Sequence, residues 1–414
     1  MRVFKFGGAS VKDADGVKNL VEILKKYELK NVVVVISAMG KTTNMLEKLT
    51  SDYFEGKKTS LEEIKSFHYS IMNELFEKNH TIYDEVNNLF VEIEWAIEDS
   101  PTSTFSFEYD QIVSVGELLS TKIVSAYLNL KGINAFWLDA RDLIRTDNTY
   151  RNAKVDWQQT KHHVNQLISG PKLYLTQGFI GCTSENFTTT LGREGSDYTA
   201  SILAYCLSAK EVVVWKDVKG FLNADPNYFT ETTLLKEIPY SEAIELAYFG
   251  AKVVHPKTIQ PLKSKYITLK VKSFLDPQST GSKIGNFDKV KPHVPSFILK
   301  ENQILISIKT NDLSFIVEEH ISHIFSVFAE HGVKVNLMQN SALSFSVCVD
   351  NDVVKTKPLI DELESHYILT HNNNLTLYTI RHYDSLSLSK ITKNNTVLLE
   401  QKSRNNIQLL VRSN

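Results

Sequence analysis

Five consecutive apolar residues, Val32 to Ile36, place the strongest constraint on the fold of this chain. All five are β-branched, which favours an extended strand. None is polar, which is typical of a parallel strand whose two faces are both covered in an α/β sheet. The residues that follow such a strand lie at its carboxyl end, where open α/β sheets bind their ligands.

The segment after this strand, SAMGKTT, contains a Gly-Lys-Thr triplet like that of a phosphate-binding P-loop. A P-loop has the pattern G-x-x-x-x-G-K-[ST], in which both glycines let backbone N–H groups wrap around phosphate oxygens. Counting back five residues from Gly40 gives Val35, which lies inside the strand. The segment is therefore not a P-loop, but its polar residues remain candidates for a ligand site.

Strands and helices alternate over the first 290 residues. Short apolar segments predict strands at VFKF, INAFWLD, KLYLT and EVVVWK, and segments with helical spacing of apolar residues separate them. This alternation predicts a largely parallel sheet with helices on both faces. Residues 60–99 have the pattern of two amphipathic helices, which serve either as structural packing or as a lid.

The pattern changes near residue 290, where KVKPHVPS has the composition of a linker. The segments after it predict the order βαββαβ, a small ferredoxin-like unit. Two more apolar strands, TVLLEQ and IQLLV, follow in a remainder too short for a complete second copy. We therefore expect domains at 1–290 and 300–372, with a short, degenerate second unit at 373–414.

The composition excludes several classes of protein. The chain has 414 residues, of which 42% are hydrophobic and 23% charged, as in soluble globular proteins of two or three domains. Its net charge of −2 argues against a general nucleic-acid binder. No apolar run approaches the ~20 residues that span a bilayer, and the N-terminus lacks the apolar region of a signal peptide. Three widely spaced cysteines give no zinc pattern and fit a reducing cytosol, so we expect a cytoplasmic protein.

Four polar loops follow strands or begin helices, and they are KFGGAS, ISAMGKTTN, TLGREGSDYTA and GAKVVHPKTI. Glycines let a backbone approach a phosphate closely, and the N-terminus of a capped helix attracts anions. Each loop alone is a weak indication, because glycine turns, capped helices and solvated lysines are common. For the third loop taken alone, a plain capped helix is the better interpretation.

Taken together and in order, the segments are specific. KFGGAS, ISAMGKTTN, SVGELLS, TLGREGSDYTA, WKDVKGFLNADP and FGAKVVHPKTI resemble the signature segments of the aspartate kinases, in the amino-acid-kinase family. The resemblance covers about residues 1–285, and the region from about residue 300 resembles the ACT regulatory domains of these enzymes. It implies an α/β fold, with an amino-acid-kinase-type mostly parallel sheet sandwiched by helices, followed by α+β ferredoxin-like ACT units.

The resemblance also implies a reaction. The substrates would be L-aspartate and MgATP, with ATP and Mg²⁺ as cofactors. The γ-phosphoryl group would pass to the β-carboxylate to give 4-phospho-L-aspartate, the first step towards lysine, threonine and methionine. A carboxylate with a pKa near ~3.9 is already ionised at neutral pH, so the nucleophile requires no general base. Catalysis would then rest on positioning and on neutralising charge.

Individual residues match the roles known in that family. Lys5 and Asp197 match catalytic residues. Aspartate would be held by Ser37, Thr43, Glu117 and Arg193. ATP would contact Lys5, Gly7, Gly8, Ser10, Lys216, Asp217, Asp225 and Lys252. Mg²⁺ is expected mainly on phosphate oxygens and waters, and no protein ligand is assigned to it.

Two positions in the first 290 residues depart from the family pattern. Glu194 stands where glycine is frequent, and a carboxylate there is unfavourable beside an anion site unless it points away or pairs with Arg193. Lys216 stands where many relatives have threonine, although lysine also occurs there. Neither change removes a residue that the chemistry requires.

The ACT region departs as well. Asn336 and Ala342 stand where relatives inhibited by lysine have Asp and Glu. Losing the acid removes a charge-assisted hydrogen bond to an effector ammonium, worth ~1.5–3 kcal/mol. We therefore expect lysine to inhibit weakly or not at all, and we expect the ACT region mainly to build a homodimer. Threonine or methionine sensing stays open.

Two other functions stay open from the sequence. The chain could be another amino-acid kinase, acting on acetylglutamate, glutamate or a nucleotide, although SVGELLS and the ACT region favour aspartate. It could also be a non-catalytic amino-acid sensor, against which the presence of Lys5, Arg193, Asp197 and Lys252 argues. No fused homoserine dehydrogenase is expected, because the chain has no G-x-G-x-x-G segment.

Overall fold

The computed structural model describes residues 1–251, 253–312 and 314–413. The chain divides into two compact units. The first comprises Met1–Phe221, Leu234–Ile244 and Val253–Lys291, and the second comprises Leu222–Thr233, Glu245–Lys252 and Pro292–Asn414. Among the described residues, no helix is both long enough and apolar enough to cross a membrane.

A mostly parallel sheet forms the centre of the first unit. The strands of this unit are β1 (Arg2–Phe6), β2 (Val32–Ile36), β3 (Ala135–Leu138), β4 (Leu173–Gln177), β5 (Ile180–Cys182), β6 (Thr188–Thr190), β7 (Glu211–Lys216), β8 (Glu237–Pro239), β9 (Thr268–Ser273) and β10 (Ser282–Gly285). Eight of them form one sheet in the order β3-β4-β2-β1-β7-β9-β10-β8, and β5 pairs with β6 separately. Only β9 and β10 are antiparallel neighbours in the large sheet, so the predicted largely parallel sheet is confirmed.

Helices connect these strands, and the predicted amphipathic pair at residues 60–99 is present as α3 and α4. The helices, in chain order, are α1 (Ala14–Leu24), α2 (Thr42–Phe54), α3 (Glu62–Leu75), α4 (Ile82–Ala96), α5 (Phe105–Val113), α6 (Val115–Leu130), α7 (Ala140–Leu143), α8 (Trp157–Leu167), α9 (Gly195–Cys206), α10 (Tyr240–Phe249) and α11 (Pro256–Ser264). One face of α3 and of α4 enters the main core, through residues such as Ile71 and Phe90.

The register of the sheet brings several strand ends together. Phe6, near the end of β1, lies between Ile36 of β2 and Trp215 of β7. Ile36 in turn pairs with Gln177 at the end of β4. The loops after β1, β2 and β4 and the end of β7 therefore meet at one edge of the sheet, which is the usual ligand-binding edge of this architecture.

In its described residues from 292 onward, the second unit contains a six-stranded antiparallel sheet and three helices. Its elements are β11 (Ser296–Lys309), α12 (Glu318–Glu330), β12 (Val335–Asn340), β13 (Phe345–Asp350), α13 (Val353–Glu364), β14 (Ile368–Arg381), α14 (Ser385–Thr392), β15 (Asn395–Lys402) and β16 (Asn406–Ser413). The strand order is β12-β13-β11-β14-β16-β15. From β11 to β14 the elements follow the predicted βαββαβ order, and both later strands are present.

The predicted domain boundary between residues 372 and 373 falls inside strand β14. Thr370 and Asn372 pair with β11, and residues from Thr376 onward also pair with β16. Strands β11 and β14 are each 14 residues long and run through both halves of the sheet. The last two strands therefore belong to the same sheet as the βαββαβ unit, and the predicted boundary between the two units would lie within β14.

Candidate active site

The loops after β1 and β2 are in direct contact, and this contact explains the glycines. A Cβ atom on Gly8 would lie 2.6 Å from the carbonyl oxygen of Ala38, which no side chain could tolerate. The N–H of Gly40 donates to the carbonyl of Gly8 at 3.1 Å. Gly40 has φ +54°, a left-handed conformation that favours glycine. The two loops therefore hold each other in place at the edge of the sheet.

A buried carboxylate links two lysines from neighbouring strands. Lys5 lies near the end of β1, Lys216 ends β7, and Asp197 lies in the first turn of α9. Nζ of Lys5 is 2.6 Å from Oδ1 of Asp197, and Nζ of Lys216 is 3.1 Å from Oδ2. The side chains of Asp197 and Lys5 are 2% and 9% exposed. Such a pair out of water requires this close geometry, because neither charge is solvated.

The pKa values of this network follow from burial and charge together. Burial alone would raise the pKa of Asp197, but the charges of Lys5 and Lys216 hold it below its ordinary value. Burial alone would lower the pKa of Lys216, but the charges of Asp197 and Glu194 raise it above its ordinary value. The carboxylate and Lys216 therefore stay charged at neutral pH.

Glu117, on the first turn of α6, is a buried acid in a different state. It is 3% exposed, and its Oε2 has no hydrogen-bond partner among the described residues. Burial raises the pKa of Glu117 to about 8, although the charge of Lys5 and the backbone of Ala38 oppose the shift. This carboxyl group is therefore mostly protonated at neutral pH until a cation reaches it.

The loop before α9 combines an exposed arginine with a strained glutamate. Arg193 is exposed, and its guanidinium has no ion pair with any residue that the structure describes. Glu194 has φ +53°, a conformation that is unfavourable for a residue with a side chain. Oε2 of Glu194 is buried without a partner in the described part of the chain. The carboxylate thus neither points away nor pairs with Arg193, the two arrangements that we considered from the sequence.

These residues line one cavity of about 590 Å³. Its walls include the following residues predicted from the sequence: Lys5, Gly8, Ser37, Thr43, Glu117, Arg193, Asp197 and Lys216. The cavity has room for a small molecule, and its walls carry charges of both signs.

Other predicted residues are not among those that line the cavity. Gly7 adjoins it in the turn after β1. Ser10 is buried, and its hydroxyl donates to the carbonyl of Trp215 at 3.4 Å. Asp217 is exposed in the loop after β7. Asp225 belongs to the second unit, where it accepts the N–H of Asn227 at 2.9 Å. Lys252 lies outside the described residues.

The cavity also contains an arginine that the sequence analysis missed. Arg151 has φ +66°, and its Nη2 is 3.4 Å from Oε1 of Glu47. Its guanidinium carbon lies 4.5 Å from the centre of the Tyr109 ring. Its backbone N–H donates to the buried carboxylate of Asp110, which also accepts the N–H of Thr190 at 2.8 Å.

No local pattern could have identified Arg151. It is a single arginine in the polar segment TDNTYRNAK, and its partners lie on α2 and α5. Only the fold brings Glu47 and Tyr109 to it. Burial raises the pKa of Asp110 to about 6, so the backbone of Arg151 is held by a carboxylate near its titration range.

No preformed metal site is present in the described part of the chain. Groups of three or more His, Cys, Asp or Glu side chains that could hold a metal ion are absent there. Both oxygens of Asp197 already face lysines, whereas Oε2 of Glu194 is buried in the cavity wall without a partner. A single carboxylate fits Mg²⁺ only if phosphate oxygens and waters complete its shell.

The known proteins that this chain resembles belong to one family. Residues 1–273 match the family described as the Amino acid kinase family. Lysine-sensitive aspartokinase 3 of Escherichia coli (strain K12) is 32% identical over 375 residues, covering 88% of this chain and 83% of that protein. Aspartokinase 1, chloroplastic, of Arabidopsis thaliana is also 32% identical, and the chain spans 66% of its length.

Solved structures of E. coli aspartokinase III have the same fold along nearly the whole chain. The complex with aspartate and ADP, in the R-state, is similar with a TM-score of 0.80 and 29% identity, covering 99% of this chain and 96% of that chain. The complex with lysine and aspartate, in the T-state, has a TM-score of 0.84 with the same identity and coverage.

Proposed function

The chain belongs to the aspartokinases of the amino acid kinase family, and from this we propose that it transfers the γ-phosphoryl group of ATP to the β-carboxylate of L-aspartate. The product would be 4-phospho-L-aspartate, at the start of lysine, threonine and methionine biosynthesis. The observation that carries the proposal is the joint presence, in one cavity, of the Lys5–Asp197–Lys216 network and of Glu117, whose Oε2 has no partner among the described residues. The lysine–carboxylate network suits a phosphoryl group in transfer, and the free oxygen of Glu117 suits an ammonium group.

On the amino-acid side, the substrate has one ammonium and two carboxylates. Glu117 would pair with the ammonium, because its Oε2 has no partner in the described protein. The exposed guanidinium of Arg193 would clamp the α-carboxylate through two parallel hydrogen bonds. Ser37 and Thr43, which also line the cavity, would donate to the substrate. The β-carboxylate would then be left to face the phosphoryl donor.

On the phosphate side, the reaction must overcome the repulsion between two negatively charged reactants. An anionic carboxylate must approach a polyanion in line, so positive groups must stand where charge develops. Lys5 would bridge the two reactants, and the N–H groups of Gly7 and Gly8 would donate to phosphate oxygens. Asp197 would hold both lysines in place without acting on a proton, since its low pKa keeps it ionised. Ser10, Asp217, Asp225 and Lys252 remain proposed contacts on the nucleotide side.

Mg²⁺ would supply charge neutralisation on the β- and γ-phosphates when bound. Its ligands would be mainly phosphate oxygens and waters, as is usual for this ion. Glu194 is the described side chain that fits as an additional ligand, because its Oε2 is buried in the cavity wall and has no partner in the described part of the chain.

We also propose the domain roles. Residues 1–290 would form the catalytic domain, 300–372 an ACT domain and 373–414 a short second ACT-like unit, with a homodimer formed through the ACT region. Light scattering of the full chain tests the dimer. The cytoplasmic location also stays a prediction, which cell fractionation tests.

One assay tests the function. The chain is given MgATP with aspartate, glutamate or acetylglutamate, ADP release is followed by a coupled reaction, and acyl phosphate is trapped as a hydroxamate. Hydroxamate that forms with aspartate alone supports the proposal. Preference for another acceptor identifies a different amino-acid kinase. Aspartate binding without turnover identifies a non-catalytic sensor.

A further inference from the structure

The segment Ser37–Thr43, which joins β2 to the first residues of α2 and is called the substrate loop below, has two sides, and one of them faces the cavity. Ser37, Gly40 and Thr43 line the cavity. Between them, Met39 and Thr42 are fully buried and turn away from it. The buried side of the loop must be held by other elements, since a polar loop without such support would sample several conformations.

Helix α3 supplies part of that support through Phe67. A Cβ atom on Gly40 would lie 3.2 Å from Cζ of Phe67, so the ring rests directly against the backbone of the loop. Gly40 is also the residue that donates to Gly8 in the neighbouring loop. Phe67 therefore supports the loop at the residue that also contacts the loop after β1.

The next residue of α3, His68, reaches the loop through a hydrogen-bonding group. His68 is fully buried, and its Nδ1 lies 2.8 Å from the carbonyl of Ile64. Nδ1 therefore carries the proton of the neutral ring, and Nε2 is an acceptor that lies 3.4 Å from Oγ1 of Thr42. The Thr42 hydroxyl donates at 2.6 Å to the carbonyl of Met39, so its proton has two acceptors within reach. Burial lowers the pKa of His68 to about 4, which keeps the ring neutral.

Thr42 also touches the helix that carries Glu117. A Cβ atom on Gly116 would lie 3.1 Å from the methyl carbon of Thr42 and 3.4 Å from Cβ of Ala38. Gly116 immediately precedes Glu117 on α6. One buried threonine thus contacts α3, the substrate loop and the start of the helix that presents the acid to the cavity.

We propose that helix α3 is a buttress for the amino-acid half of the site, and that Phe67 and His68 are positioning residues for the acceptor substrate. They touch no substrate. They act through Gly40 and Thr42, which fix Ser37, Thr43 and Glu117. On the phosphate side, Lys5, Asp197 and Lys216 hold one another, and α3 approaches that side indirectly, through Gly40, whose N–H donates to Gly8. The contact between His68 and Thr42 belongs to the amino-acid side, so substitutions of His68 test that side. The inference rests on the proposed function, since it takes the acceptor to be an amino acid.

The two amide substitutions of His68 separate this role from simple packing. The amide of a glutamine reaches the place of Nε2 and can still pair with Thr42, whereas the amide of an asparagine reaches the place of Nδ1 and serves only Ile64. His68→Leu keeps the bulk and removes both groups. Leu75→Ala is the matched control, because Leu75 is buried on the same helix about two turns beyond His68.

The test measures KM for the acceptor and for ATP, together with Tm, for each variant. His68→Leu should raise KM for aspartate by about tenfold, because a small displacement of positioning groups has a large kinetic effect. KM for ATP should change by less than about twofold in every variant. His68→Gln should restore most of the affinity for aspartate and His68→Asn should not. Leu75→Ala should lower Tm and leave both KM values unchanged.

The buttress is overturned by any of three results: an unchanged KM for aspartate in His68→Leu, equal rescue by both amides, or an equal rise of both KM values. If His68→Leu does not fold, the comparison of His68→Gln with His68→Asn decides alone. The acceptor of the wild-type chain is determined first. If it is not aspartate, the proposed function fails, and the same KM comparison with the true acceptor still tests the buttress.

Discussion

The chain contains two polar clusters built from similar residues, one open and one closed. In the cavity of the first unit, the carboxylates of Glu117 and Glu194 each have a buried oxygen without a partner in the described protein. In the second unit, Nζ of Lys300 lies 2.7 Å from Oδ1 of Asn336. Nδ2 of that asparagine donates to Gln303 and to Asp350, both at 2.9 Å. The lysine, the amides and the acid of the second cluster satisfy one another.

This difference distinguishes a site that binds a ligand from a cluster that stabilises the fold. A buried polar atom without a partner destabilises the folded protein by about 1–3 kcal/mol, and a ligand that supplies the missing hydrogen bond removes this cost. A closed network gains nothing from a ligand, because the ligand must first displace an internal partner. Burial lowers the pKa of Lys300 even with Asp350 nearby, as expected for a lysine that serves packing.

The largest expected effect compares one lysine from each cluster. Lys5→Ala should lower kcat by about a hundredfold or more, because loss of one preorganised charge at the transition state costs about 3–4 kcal/mol. Lys300→Ala should leave kcat within about twofold and act on Tm instead. Steady-state kinetics and thermal melts of both variants check the contrast.

The contrast between the two clusters is contradicted if Lys5→Ala keeps more than about half of the wild-type kcat, because Lys5 would then have no part in the chemistry. It also breaks if Lys300→Ala lowers kcat as much as Lys5→Ala does. A circular dichroism spectrum identical to that of the wild type confirms that each variant is folded.

The second effect concerns Arg193, the exposed cation of the open cluster. Arg193→Ala should raise KM for aspartate by about tenfold or more and change KM for ATP little, because a bidentate clamp on a carboxylate is lost. Arg151→Ala is the variant to compare with Arg193→Ala, because Arg151 lines the same cavity but its guanidinium already forms an ion pair with Glu47. A loss of ATP affinity equal to the loss of aspartate affinity in Arg193→Ala would show that the arginine is wrongly assigned.

The third effect is a pH dependence that originates at Glu117. Its pKa of about 8 means that the free carboxyl carries a proton at neutral pH, whereas an ammonium requires the carboxylate. Aspartate binding must then release a proton, so KM for aspartate should fall by up to about tenfold per pH unit as the pH rises towards 8. Glu117→Gln should bind aspartate weakly and lack this slope. A slope that persists in Glu117→Gln would assign the titration to another group.

The same shift makes a prediction about stability. The pKa of Glu117 is raised in the folded state above its ordinary value of 4.5, so the folded protein binds this proton more tightly than the unfolded chain. The stability contributed by the proton is present below that ordinary value and is lost as the pH rises towards 8. The Tm difference between Glu117→Gln and wild type should therefore grow in favour of the variant between about pH 5 and about pH 8. A constant difference would contradict the raised pKa.

The smallest expected effect is that of lysine on the closed cluster. Both polar ends of the Asn336 side chain already have internal partners, and Ala342 offers no polar side chain, so an effector ammonium gains no strong partner there. Added lysine should therefore inhibit weakly or not at all in the kinase assay, with threonine and methionine titrated in parallel. Half-inhibition at sub-millimolar lysine would show that the cluster opens.

Much of the fold could be predicted because it follows from local patterns. The β-branched run of β2, the helical spacing of α3 and α4, and the βαββαβ order of the second unit each depend on neighbours within a few residues. The polar loops could be assigned to a site because the family resemblance ties separate segments together. Periodicity alone left the third loop as a plain capped helix. Helix α9 does begin there, but the side chain of Glu194, at its N-terminus, makes no capping hydrogen bond.

What the sequence by itself determined is the set of elements and the identity of the charged residues, because backbone propensity and apolar spacing are local properties. The tertiary structure alone decided which charges have partners. Asp197 reaches two lysines because β1, β7 and α9 converge, Arg151 rests on Tyr109 and Glu47, and His68 touches Thr42 across the gap between two helices. Burial and partner distance set whether a carboxyl group is ionised, as in Asp197, or mostly protonated, as in Glu117. Both quantities arise only when segments remote in the chain pack together, and so no local pattern contains them.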